Sequence, residues 1–204
     1  MKGDFCVGQY KKCWGFLKES RWYVVFALGV FGLMFLVGFA YPIFFREEIF
    51  GFIAEMIGNL EGKSVVELIG FIFLNNLWVS FIAIVSGIAI GVFPFLIVVV
   101  NGYLVGFVAR EAAMAEGIVV LWQLVPHGIF ELPAILLSIG IGLRLGSQVV
   151  GRVVERVSGR ASPVVASRSI GYVFREGMRF FVFVVFPLLL IAGIIEGILI
   201  ALMG

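Results

Sequence analysis

Residues 22–45 read WYVVFALGVFGLMFLVGFAYPIFF, a run without one charged side chain. At 1.5 Å per residue such a helix is long enough to cross a hydrocarbon core of about 30 Å. The stretch therefore predicts a transmembrane helix, and Pro42 is expected to kink or end it. Working outward, further apolar runs cover 68–93, 95–109, 128–145 and 180–202. The expected fold is all-α: a polytopic transmembrane bundle of about five spans, with broken or half helices and amphipathic interfacial helices. Composition agrees, with 62% hydrophobic residues, 14% charged residues and a mean hydropathy of +1.14. Soluble domains are about 45–50% apolar and about 25% charged.

Charge placement divides the chain into a basic interfacial arm, 1–21, and one transmembrane domain, 22–204. The arm carries Lys2, Lys11, Lys12, Lys18 and Arg21 against Asp4 and Glu19, with Tyr10, Trp14 and Leu17 at helical spacing. Region 144–179 is also basic: Arg144, Arg152, Arg156, Arg160, Arg168, Arg175 and Arg179 against Glu155 and Glu176. Its first half, with Val149, Val150, Val153, Val154 and Val157, reads as a basic amphipathic helix. Cytoplasmic flanks carry excess Lys and Arg, so both regions are expected inside a cell membrane. Five crossings then put the C-terminus outside. Residues 46–66 set Ile49, Ile53, Met56, Ile57 and Leu60 against Glu47, Glu48, Glu55 and Glu61, a pattern that suits the outer face. The first apolar run is too long for a signal-peptide core and no small-residue cleavage site follows it. The net charge of +2 does not imply nucleic acid. Cys6 and Cys13 make no disulfide framework; they are reduced thiols or palmitoylation sites.

Small residues mark the helix contacts. Asn76, Ser80, Ala83, Gly87 and Gly91 recur at helical intervals, as do Ala134, Ser138, Gly142 and Gly146. Gly102 and Gly106 repeat the small-xxx-small pattern that lets membrane helices approach closely. Gly87, Gly91, Gly102, Gly106 and Gly142 are the expected packing positions. Phe93-Pro94-Phe95 reads as a break and Asn101-Gly102 as a kink. Residues 118–125 read as a half-helix or re-entrant piece.

That piece leads into Pro126-His127-Gly128-Ile129-Phe130-Glu131-Leu132-Pro133-Ala134, which holds the only histidine. His127 and Glu131 fall on one helix face at i and i+4. An ionisable group within a membrane span is a functional-site candidate. A buried polar cluster of His127, Glu131, Asn75, Asn76, Asn101 and Glu196 follows. Three chemistries fit it. His127, Glu131 and Glu196, with Glu67 as a further carboxylate, could ligate a divalent metal, although three-ligand zinc sites usually show more histidine. Asn76, His127, Glu131 and Glu196 could line a proton or ion pathway. Alternatively, the imidazole and amides satisfy interrupted backbone.

The nine-residue motif, with Asn75-Asn76, Asn101-Gly102, Gly106 and Glu196, resembles the stage II sporulation protein M family from about Tyr23 to the C-terminus. The resemblance implies a polytopic membrane protein of bacteria and archaea. The family's founding member belongs to a membrane complex with two cell-wall-degrading proteins during engulfment. The resemblance carries no catalytic residues, and the chain itself shows neither GxSxG nor HExxH. The leading expectation is a non-enzymatic, lipid-embedded scaffold for protein partners, acting as a homo-oligomer. A small transporter or channel comes second and a metal-dependent membrane enzyme third.

Overall fold

The computed structural model describes residues 2–44, 46–51, 55, 64–159 and 168–203, with backbone alone for 2–5, 65, 68, 123–127 and 196–203. Its described elements are helices: α1 (Lys2–Ala40), α2 (Val65–Val85), α3 (Val92–Glu116), α4 (Leu121–Ser158), α5 (Ile170–Phe180) and α6 (Phe186–Met203). A π-helical turn, Phe181–Val185, joins α5 to α6. Among the described residues, five helices are long and apolar enough to span a bilayer: Cys6–Ala40, Ile69–Ile88, Val92–Glu116, Gly128–Ser158 and Ile170–Ile195. The protein is an all-α, multi-pass membrane protein.

Local chemistry explains where the helices begin and end. α1 stops at Ala40, two residues before Pro42, as steric clash with the residue preceding a proline requires. Ser64 and Glu67 form a capping box at the start of α2, with Glu67 accepting from the Ser64 amide at 2.8 Å. Ser169 caps α5 by accepting from the Tyr172 amide at 3.1 Å. Pro187 lacks an N–H and lies two residues after the π turn, in the first turn of α6, where the turn's wider spacing leads the helix past the missing hydrogen bond.

Helices that touch run parallel in some pairs and antiparallel in others. α1 and α3 run parallel, with Phe31 meeting Gly102 and Phe35 meeting Gly106. α4 runs against α1, with Val24 on Gly140 and Ser20 on Arg144. α2 runs against α6, through Ile69 on Gly193 and Phe73 on Phe186. α4 is the axis: its apolar window is 61% buried, against 39% or less in the other four spans. Two cores flank it. Ala134, Ile141 and Leu145 pack with Phe16, Val173, Phe180 and Leu189. Ile135, Leu136 and Ile139 pack with Ala27, Phe31, Ala83 and Val98.

The interruptions fall elsewhere than the residue pattern suggests. α4 is continuous from Leu121, through both Pro126 and Pro133, so 118–125 is no separate half-helix; a single 3-10 turn, Ile118–Val120, precedes it. α3 runs straight through Asn101-Gly102. The chain breaks at Ser86–Ile88, a 3-10 turn, followed by Ile90 and Gly91 at φ +62° and +77°. That is ahead of Phe93-Pro94-Phe95, because Pro94 sits in the first turn of α3, where a missing N–H costs no helix bond. The amphipathic stretch 46–66 is described as helix at 46–51 and 55; Ile53, Met56, Ile57, Leu60 and Glu61 lie outside the described residues.

Candidate functional site

Glu131 sits on α4 at 5% exposure, on the axial helix of a membrane bundle. A carboxyl there is stable only when protonated, paired or hydrogen-bonded. The backbone is helical from 127 to 131, so His127 and Glu131 occupy adjacent turns of one face. The side chains of His127 and Glu196 lie outside the described residues. Of the three candidate metal ligands, the structure therefore describes only Glu131. Asn75 is exposed and Asn76 half-buried on α2. Asn101, half-buried on α3, donates from Nδ2 to the Ile97 carbonyl of its own helix at 2.8 Å. One turn beyond Ala134, fully buried Ser138 donates back to the Ala134 carbonyl at 2.9 Å. Ser80 on α2 is also fully buried within the bundle.

Around these groups the helices touch backbone to backbone. A Cβ on Gly142 would collide with the Ala83 carbonyl, and one on Gly87 with the Gly142 carbonyl. Gly91 is required by its φ of +77° instead, since a Cβ there would meet Gly146 Cα at an ordinary 3.4 Å. Between α1 and α3, a Cβ on Gly102 would lie 2.8 Å from the Phe31 oxygen, and one on Gly106 would collide with the Phe35 carbonyl. Contacts this close exclude even an alanine, which accounts for glycine at these helix crossings.

A second polar group lies at the opposite end of α4 and was hidden among the basic flank residues. Arg144 is 4% exposed. Its Nη1 donates to Ser20 Oγ at 2.8 Å and reaches the Phe16 carbonyl at 3.5 Å, while its Nη2 donates to Glu19 Oε2 at 2.8 Å. The guanidinium lies 4.8 Å from the Phe16 ring centroid. Arg168 Nη2 completes the bridge at 2.9 Å from Glu19 Oε1. Glu19 precedes the charge-free part of α1. The signal in the sequence was the spacing of Gly140, Arg144 and Ser147, which share the α4 face turned to α1. At the other end, Tyr103 Oη accepts from the Phe44 amide at 3.0 Å and lies 2.9 and 3.2 Å from the Phe44 and Tyr41 carbonyls. Arg110 donates to the Phe39 carbonyl at 3.0 Å and Arg46 to Glu111 at 3.1 Å.

A match of residues 24–199 to the family model described as Stage II sporulation protein M decides the kinship. The chain belongs to the stage II sporulation protein M family. The match takes in Glu131, Ser138 and all the glycine crossings, but begins after Glu19 and Ser20. In this stage II sporulation protein M family member the α1 side of the Arg144 bridge thus precedes the matched region. The chain is also similar to an uncharacterized protein of Methanocaldococcus jannaschii, 26% identical over 178 residues, covering 85% of this chain and 77% of that protein. No solved structure matches.

Proposed function

We propose that this family member is an integral membrane scaffold that presents helical surfaces to protein partners and works as a homo-oligomer. One observation carries the reading: the helix crossings at Gly142–Ala83, Gly106–Phe35 and Gly102–Phe31 bring backbone against backbone. Packed interiors respond to strain as two-state rather than continuously deformable bodies, and crossings without side-chain padding leave no room for sliding. Such a frame suits the display of fixed surfaces better than alternating access. The Glu131 face and the Asn75, Asn76 and Asn101 amides then serve to satisfy polar backbone and fix helix register. The N-terminus is cytoplasmic and the C-terminus external, because the basic arm shares one end of the bundle with Arg144 and Arg168.

Native mass spectrometry of the protein in lipid nanodiscs tests the reading. A defined multimer is the expected result. A monomer at all concentrations, together with ion flux in proteoliposomes, would overturn it. The burial of Glu131 within a span favours one second reading, a proton pathway. Proteoliposome proton flux abolished by Glu131→Gln would select that pathway; absence of flux in the parent removes it.

A further inference from the structure

Beside the Arg144 bridge, with which it shares Phe16 and Glu19, α1 and α5 face each other with matching residue spacings. Lys12, Gly15, Phe16 and Glu19 form one face of α1, and Tyr172, Arg175, Glu176 and Arg179 form one face of α5. Between them is a cleft of about 360 Å³, within the size range of small-ligand sites. Phe16, 2% exposed, is its apolar floor and packs edge-on against Tyr172 at 6.4 Å. No heavy atom of the described residues beyond the local helix lies within 4 Å of the position a Gly15 Cβ would take, so the cleft is open there among them.

The two carboxylates of the cleft are each already held by two guanidiniums. Glu19 binds Arg144 and Arg168. Glu176, 6% exposed, binds Arg179, and Arg175 through Nε at 3.5 Å. Among the described residues the lining carries Lys12, Arg175 and Arg179 against these two acids, while Arg144 and Arg168 bind Glu19 from outside it, so the cleft is net positive. Arg175 is 70% exposed, which leaves its side chain accessible at the rim with Lys12. A phosphate ester fits this chemistry, since guanidinium and ammonium groups bind phosphate with charge-assisted hydrogen bonds. The depth of the cleft indicates the source. On the same helix Tyr10, Trp14 and Trp22 are all more than half exposed, and Lys18 and Arg21 lie over the Trp14 and Trp22 rings at 5.5 and 5.4 Å. Such aromatic belts with snorkelling cations sit at lipid headgroup level.

We propose that the α1–α5 cleft binds the phosphate of an anionic lipid headgroup, with Lys12 and Arg175 as its phosphate donors and Phe16 as its floor. The assay is native mass spectrometry of the full chain, with phosphatidylglycerol titrated against phosphatidylcholine. The expected result is saturable binding of one phosphatidylglycerol per chain. Lys12→Gln with Arg175→Gln should weaken it about thirtyfold, two lost surface charges at the usual effect per charge. Gly15→Leu should weaken it as much with no change in charge, by filling the cleft. Arg152→Gln with Arg156→Gln, exposed on α4, should change affinity less than about threefold. Equal loss in that control pair would reduce the effect to general electrostatics and overturn the site. So would unchanged binding by a folded Gly15→Leu, or equal binding of phosphatidylcholine. Full competition by millimolar glycerol phosphate would overturn the lipid assignment. If Gly15→Leu does not fold, the two charge pairs alone decide.

Discussion

Replacing one glycine with alanine should have opposite effects at Gly142 and at Gly29, although both lie within helices of the bundle. At Gly142 the new methyl would collide with the Ala83 carbonyl, and would also lie 3.0 Å from its carbon and 3.1 Å from Pro94 Cβ. Two of these three atoms are backbone, so relief requires α2 to move away from α4 as a unit. Overpacking of this kind costs about 1–3 kcal/mol, and rigid backbone neighbours place it at the upper end. Alanine's better helix propensity returns about 0.5–1 kcal/mol, leaving a net loss of about 2 kcal/mol. At Gly29 no atom of another described residue outside the local helix lies within 4 Å of the added methyl, so only the propensity gain remains. The two variants should differ by about 3 kcal/mol, roughly a hundredfold in the unfolding equilibrium at 1.36 kcal/mol per decade. Steric-trapping or SDS-unfolding measurements in bicelles read this directly. Gly142→Ala as stable as the parent, or indistinguishable from Gly29→Ala, would refute the reasoning.

Three further perturbations follow from the polar contacts. Arg144→Met should destabilise the bundle by about 2 kcal/mol, below the 3–5 kcal/mol of a fully buried pair, because Glu19 is one-third exposed and keeps Arg168. Adding Glu19→Gln to it should cost less than the sum of the single changes, as a double-mutant cycle of melting shifts would show. Glu19→Gln alone leaves Arg144 without its carboxylate, so the melting temperature should fall, and an unchanged one would refute the bridge. Tyr103→Phe strips the hydroxyl that meets Phe44 N–H, so about 1–2 kcal/mol should be lost, and amide exchange at Phe44 should accelerate.

Span number and helical class were legible because the criterion is length, and residues 22–45 satisfy it with no charge to interrupt. The helix breaks were harder to locate. Pro126, Pro133 and Asn101-Gly102 all look like interruptions in a soluble protein, yet α3 and α4 run through them. In a membrane bundle the lost bond of a proline is tolerated when neighbouring groups absorb the freed carbonyl, and helix is otherwise the only way to pair backbone. The actual corner, Ser86–Gly91, carries no proline. Its marks are two glycines and an isoleucine forced to φ +62°, visible only once α4 is seen packed against Gly91 through Gly146.

The inward faces pose a different difficulty. In a soluble helix, burial is announced by hydrophobicity, but here the lipid-facing Leu33, Leu36 and Trp78 are as apolar as the fully buried Ile84, Ile139 and Leu145. Small size marks the points where helices cross, at Gly87, Gly102, Gly106 and Gly142, rather than a whole face: Gly29 is small and open, while Phe107 is large and fully buried. Side-chain charge is a poorer guide. Arg144 stands in a row of arginines, and its composition alone marks it as flank. Its neighbours decide otherwise: Gly140 lies one turn before it, so α1 comes close enough for Ser20 and Glu19 to reach the guanidinium. A cation beside a glycine on a helix face that another helix covers is held by that helix rather than by water. On this ground Arg144 belongs to the core, whereas Arg152 and Arg156, where α4 has passed beyond its neighbours, belong to the surface.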